Sequence, residues 1–117
     1  MICNKIPAQN ANKHIELLSS YYYATAADTW EYTGASFTIN ERSLVEVRLN
    51  YNNTPVYGLG VSPRNDDVAF CEYINETTTG SSKKIVCSLG AGTYYIWGKV
   101  GAANKRDNIM AYKIINL

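Results

Sequence analysis

The stretch LVEVRLNY, residues 44–51, holds the cleanest alternation in the chain, with Val45, Val47, Leu49 and Tyr51 on one parity and Glu46, Arg48 and Asn50 on the other. Successive side chains of a β-strand point to opposite faces, so the pattern describes a half-buried strand with an apolar face turned to a core.

The same reading extends in both directions. TWEYT (29–33) and SFTIN (36–40) are short strand candidates separated by Gly34, and Phe37 and Ile39 of the second alternate with polar neighbours. After the turn NNTP (52–55), VYGLGVS (56–62) places Tyr57, Leu59 and Val61 inward and Gly58 and Gly60 outward, which leaves an outer face bare for something to approach the backbone closely. Beyond the loop PRNDD (63–67), VAFCEYI (68–74) reads as a mostly apolar strand covered on both faces. A polar turn leads to KKIVCSL (83–89), Gly90 and Gly92 permit a tight reversal, and TYYIWGKV (93–100) and NIMAYKIINL (108–117) follow. These strand candidates leave no room for crossover helices. They predict an all-β fold: an antiparallel two-sheet β-sandwich, jelly-roll-like, of about eight strands.

Composition agrees. A chain of 117 residues with 46% hydrophobic and 18% charged residues is one compact domain, and ten tyrosines together with Val, Ile and Thr clusters favour strands. The net charge is +1 and the basic residues are scattered, so the footprint of a phosphate backbone is missing and nucleic-acid binding is disfavoured. NKRD (104–107) reads as a solvated loop tip. No apolar run suits a signal-peptide core or a membrane span, so the expectation is a native start made in a cytoplasm.

The first twenty residues differ. Within 7–20, Ala8, Ala11, Ile15 and Leu18 would form a narrow apolar stripe on a short helix. Such a helix is marginal alone, so the segment docks on its own domain, on a copy of itself or on a partner, or else is an irregular arm. The expected division is residues 1–20 as N-terminal arm or docking helix and 21–117 as β-sandwich, with Ile2, Ile6, Ile15 and Leu18 as candidate assembly residues.

Candidate chemistry begins with LGAGTYYIWGKV (89–100). If Tyr94, Ile96 and Val100 face the core, then Tyr95, Trp97 and Lys99 face outward. An exposed Tyr-Trp pair with a cation beside it is a platform for the apolar face of a sugar ring or a hot spot for a protein surface. The competing reading is structural: a reversed register, or an N-terminal segment covering the pair. Arg48, Glu46 and Lys99 are the candidate polar contacts. His14 is the single histidine and lies in the N-terminal segment, so a catalytic triad has no rigid base, and no catalytic residue is assigned. Asn65, Asp66 and Asp67 lack the spaced ligands of a calcium loop and read as a polar turn. GLG (58–60) opens no helix and is no phosphate loop, and no cofactor is expected. Of the three cysteines, Cys71 and Cys87 would face each other in a simple hairpin, yet direct cross-strand pairs fit disulfide geometry poorly; two reduced, buried thiols are expected, and no metal site. NET (75–77) matches a glycosylation acceptor, and with no secretory signal expected it is expected to be a chance match.

Over residues 29–117 the succession SFTI, VEVRLNY, PVYGLGVS, KKIVCSL, GAGTYYIWGKV and AYKIINL resembles small β-sandwich domains of phage virion accessory proteins, in head fibres, capsid decorations and tail fibres. It is also similar to bacterial extracellular β-sandwich modules, where a Gly-Thr-Tyr turn starts a late strand. The resemblance implies a non-enzymatic display or adhesion module on a virion surface, often trimeric. It would be anchored through its N-terminal segment to other capsid or tail proteins or to sister subunits, and able to bind a host-surface glycan. The alternative is a carbohydrate-binding module of an extracellular bacterial protein, with Tyr95 and Trp97 as stacking residues.

Overall fold

The computed structural model describes residues 12–51, 55–67, 69–76 and 82–116. The described chain is all strand and turn. In order the strands are β1 (Asn12–Tyr23), β2 (Glu31–Ile39), β3 (Ser43–Tyr51), β4 (Val56–Ser62), β5 (Glu72–Asn75), β6 (Ser82–Leu89), β7 (Gly92–Val100) and β8 (Arg106–Asn116). They form two four-stranded sheets, a first in the order β1-β8-β3-β6 and a second in the order β2-β7-β4-β5, with antiparallel pairing throughout. This is the jelly-roll order. Consecutive strands mostly change sheet, and β4 with β5 is the one consecutive pair that is hydrogen-bonded.

The core lies between the sheets. Val45, Val47 and Leu49 of β3 are fully buried, as the alternation predicts, and they meet Leu59 and Val61 of β4, Ile96 and Val100 of β7, and Ile109 and Ala111 of β8. Full burial of each large aliphatic side chain contributes about 1.5–3 kcal/mol. Tyr94 also turns inward, stacked on Phe37 at 5.7 Å with its hydroxyl donating to the Gly90 carbonyl.

Four expectations are corrected. Residues 12–20 are strand, not helix or irregular arm: β1 pairs with β8 from Asn12 to Tyr23 without a break at Ser20. A bulge between Glu16 and Leu18 turns both Leu17 and Leu18 against the core, and that extra residue breaks the period-two pattern so that Ile15 and Leu18 fall at helical spacing. Ile2 and Ile6 lie outside the described residues. EYT (31–33) of the first candidate and SFTI (36–39) of the second belong to one strand, because Gly34, at φ 86°, makes a bulge in β2 rather than an end, while Thr29 and Trp30 lie in the turn before it. VAFCEYI is not a strand covered on both faces: β5 begins only at Glu72 and forms a largely exposed edge. Cys71 and Cys87 are not hairpin partners, since β5 and β6 belong to different sheets; Cys87 is buried and Cys71 is exposed, and both are free thiols. Burial pushes the Cys87 thiol up to about 11, helped by Glu72 and Cys71, and burial also raises Cys71, so neither is an activated nucleophile.

Candidate functional site

The outer face of the second sheet is built around the two outward glycines of β4, and they are not bare. A Cβ on Gly58 would come within 2.5 Å of the Trp30 ring, and one on Gly60 would run into the Phe70 ring. Each glycine therefore serves as the seat of an aromatic ring. Phe70 arrives on the segment that follows β4. Cys71 donates its N–H to the Val61 carbonyl at 2.7 Å, and Ser62 bonds the Ala69 carbonyl at 2.8 Å, folding that segment back over the sheet. Trp30 and Phe70 then meet at 4.7 Å, and Phe70 continues to Tyr73 at 5.3 Å and to Trp97 at 6.4 Å. Tyr32 joins from β2, edge-on to Tyr95 at 5.6 Å and tilted against Trp97 at 6.2 Å.

The predicted outward phase of Tyr95, Trp97 and Lys99 is correct, but Trp97 is not an exposed platform. It is only 7% exposed, and its indole N–H donates to the Arg64 carbonyl at 3.0 Å. Large aromatics gain most from burial, and here the cover is Arg64 and Phe70 together with Tyr32. Tyr95 is half-buried, whereas Tyr73, at 56% exposure, is the open ring of the cluster.

Beside this cluster lies a cleft of about 310 Å³ lined by Asp28, Tyr57, Glu76 and Lys99. Several backbone devices bring these residues together. Asp28 is at the tip of the 24–30 turn in the left-handed region, φ 57°, with its N–H donated to the Val100 carbonyl at 2.8 Å, one residue beyond Lys99. Tyr57 sits in a bulge between Val56 and Gly58, which takes it out of the inward phase expected for it. The Glu76 N–H donates to the Tyr57 carbonyl at 2.7 Å, and its carboxylate lies 3.0 Å from the Lys83 ammonium. Trp30 and Lys99 flank Gly58 together, which joins the cleft to the aromatic cluster.

The remaining predicted site residues lie elsewhere. Arg48 and Glu46 are on the outer face of the first sheet, across the sandwich from the cleft, because β3 and β7 belong to different sheets. There Glu46 is buried under ion pairs to Arg48 at 2.7 Å and Lys84 at 3.8 Å, and Arg48 stands over the Tyr112 ring at 5.6 Å. His14 meets Tyr112 edge-on at 6.0 Å on the same side, remote from the cleft. Ile15 is partly exposed on β1, whereas Leu18 packs against the core. Asp66 pairs with Arg64 at 3.0 Å in an exposed turn, which holds its carboxyl below the usual range. Of the residues singled out from sequence, Lys99 alone lines the cleft. Tyr57 was read as core, and Asp28, Glu76 and Trp30 were not among the predicted site residues; the one signal was the outward glycine pair, which marked where rings approach the backbone.

No protein-family model matches the sequence, and no curated protein is significantly similar to it. Among solved structures, the chain is similar to the pre-peptidase C-terminal domain of a collagenase from Bacillus anthracis, with 9% identity over 85% of this chain and 89% of that one at a TM-score of 0.53. It also overlaps a carbohydrate-binding module from a Cellvibrio mixtus lichenase in complex with cellotriose, with 17% identity, 92% and 97% coverage and a TM-score of 0.39. A third is a family 35 carbohydrate-binding module from Clostridium thermocellum, with 15% identity, 92% and 99% coverage and a TM-score of 0.37. The first likeness is one of fold and agrees with the β-sandwich. All three proteins are bacterial, and the phage side of the sequence resemblance has no counterpart among them.

Proposed function

We propose that this chain is a non-catalytic carbohydrate-binding β-sandwich whose ligand occupies the cleft on the outer face of the second sheet. The observation that carries this reading is the convergence of two carboxylates, one ammonium and a tyrosine ring on one cleft, next to Trp30 and the aromatic cluster. A sugar is amphipathic in the same way. Its vicinal hydroxyls donate to carboxylate oxygens, its ring and hydroxyl oxygens accept from an ammonium, and its C–H face packs on an aromatic ring. The single histidine is on the opposite face of the sandwich, so a histidine base has no access to the cleft. This is the second of the two readings that the sequence offered. The part of the expected virion anchor before Asn12 lies outside the described residues.

Glycan-array screening followed by calorimetry with the best ligand tests the proposal. Asp28→Ala, Tyr57→Ala and Lys99→Ala are each expected to weaken binding about tenfold, the equivalent of about 1.4 kcal/mol. A ligand that binds all three variants as tightly as the parent, or no binding across the array, overturns it.

A further inference from the structure

Glu31 opens β2 but does not line the cleft, and its carboxylate is densely hydrogen-bonded. It accepts from the Thr25 N–H at 3.1 Å on both oxygens, from the Thr25 hydroxyl at 2.7 Å, from the Ala26 N–H at 2.8 Å and from the Tyr22 hydroxyl at 3.0 Å. Tyr22 stands at the end of β1, Thr25 and Ala26 at the start of the turn that connects β1 to β2, and Glu31 sits at the turn's end. The carboxylate therefore closes that turn on itself. Two further bonds fix the closed turn to the body: Asn104 N–H to the Ala24 carbonyl at 2.9 Å, and Asp28 N–H to Val100 at 2.8 Å. Asp28 is the residue this closure holds in a left-handed backbone, a conformation that is uncommon outside glycine and persists where neighbouring structure over-determines it. Trp30, seated over Gly58, is the residue just before Glu31.

We propose that Glu31 is the positioning residue of the carbohydrate cleft: its carboxylate clasps the 24–30 turn so that Asp28 and Trp30 stand where a sugar meets them. The functional half of this inference rests on the binding reading above. The clasp acts at a distance from the ligand, through the turn.

The test uses the full chain with Glu31→Gln, which keeps one acceptor oxygen and turns the other into a donor, and with Thr25→Val, which deletes a single exposed hydroxyl and leaves the fold intact. Amide exchange of Thr25, Ala26 and Asp28 is measured beside glycan affinity. The expected result for Glu31→Gln is exchange about tenfold faster at Thr25, Ala26 and Asp28, unchanged exchange in β3, and affinity reduced about tenfold; Thr25→Val gives smaller shifts in the same direction. Asp28 decides the matter, because its N–H is bonded to Val100 and not to Glu31, so loss of local bonds alone does not move it. Unchanged exchange at Asp28 in both variants overturns the clasp. Faster exchange at Asp28 with unchanged glycan affinity overturns its positioning role. A parent protein that binds no glycan defeats the proposed function, while the exchange data still decide whether Glu31 holds the turn.

Discussion

The two outer faces of the sandwich use charge and aromatic rings in opposite ways. On the first sheet, Glu46 is only 4% exposed and is ion-paired by Arg48 and Lys84, Arg48 lies over Tyr112, and the Tyr112 hydroxyl donates to the Met110 sulfur at 3.1 Å. These groups satisfy one another. On the second sheet the rings also satisfy one another over Gly58 and Gly60, and Glu76 is ion-paired by Lys83, but two charges at their margin are left over: among the described residues Asp28 and Lys99 have no ion-pair partner, and both line the cleft. Partnered charges hold a surface in shape, whereas unpartnered charges gathered in a concavity are available to a ligand.

The largest effect expected from probing this contrast is at the ring seats. Gly60→Ala forces Phe70 off β4 and with it the cover of Trp97, so denaturant unfolding should show a loss of about 1–3 kcal/mol. A fully stable Gly60→Ala protein would mean that the aromatic cover is not packed as described. A smaller effect, about 1 kcal/mol, is expected for Glu46→Gln, which strips Arg48 and Lys84 of a charged partner on the other sheet. Its decisive feature is separation: stability falls while glycan affinity stays at the parent value. A matching loss of affinity would mean that the two faces share a site after all.

The smallest effect concerns acid. Partial burial pushes the Glu31 carboxyl up, but the hydrogen bonds from Thr25, Ala26 and Tyr22 outweigh it and hold the acid below its ordinary range. A lowered folded-state value means that the folded protein binds this proton less readily than the unfolded chain. The stability it contributes is complete above the ordinary carboxylate range and is lost as pH falls through the lowered value, a window opening below about pH 5. Parent and Glu31→Gln melting temperatures should therefore differ at neutral pH and converge on acidification. A gap that widens in acid would reverse the sign of the linkage.

How much of this was legible beforehand depends on the range of the interaction. The alternation of Val45, Val47 and Leu49, or of Ile85, Cys87 and Leu89, is set by neighbours two residues apart, and those strands appeared where the pattern placed them. Bulges defeat such reading, because one extra residue shifts parity. That is why β1 looked helical around Leu17 and Leu18, why β2 looked like two strands around Gly34, and why Tyr57 looked like core. The cleft was harder still. Asp28, Tyr57, Glu76 and Lys99 come from four separate stretches of chain, and only the exchange of strands between sheets makes them neighbours.

From the residues alone came the all-β class, the inward phase of the central strands and the outward phase of Tyr95, Trp97 and Lys99, since a strand's side-chain direction is a local property of the backbone. Sheet membership, the burial of Trp97 under Phe70 and the separation of Arg48 and Glu46 from Lys99 were decided by the tertiary structure. Each depends on which distant segment covers a face, and that choice is made by packing across the whole chain.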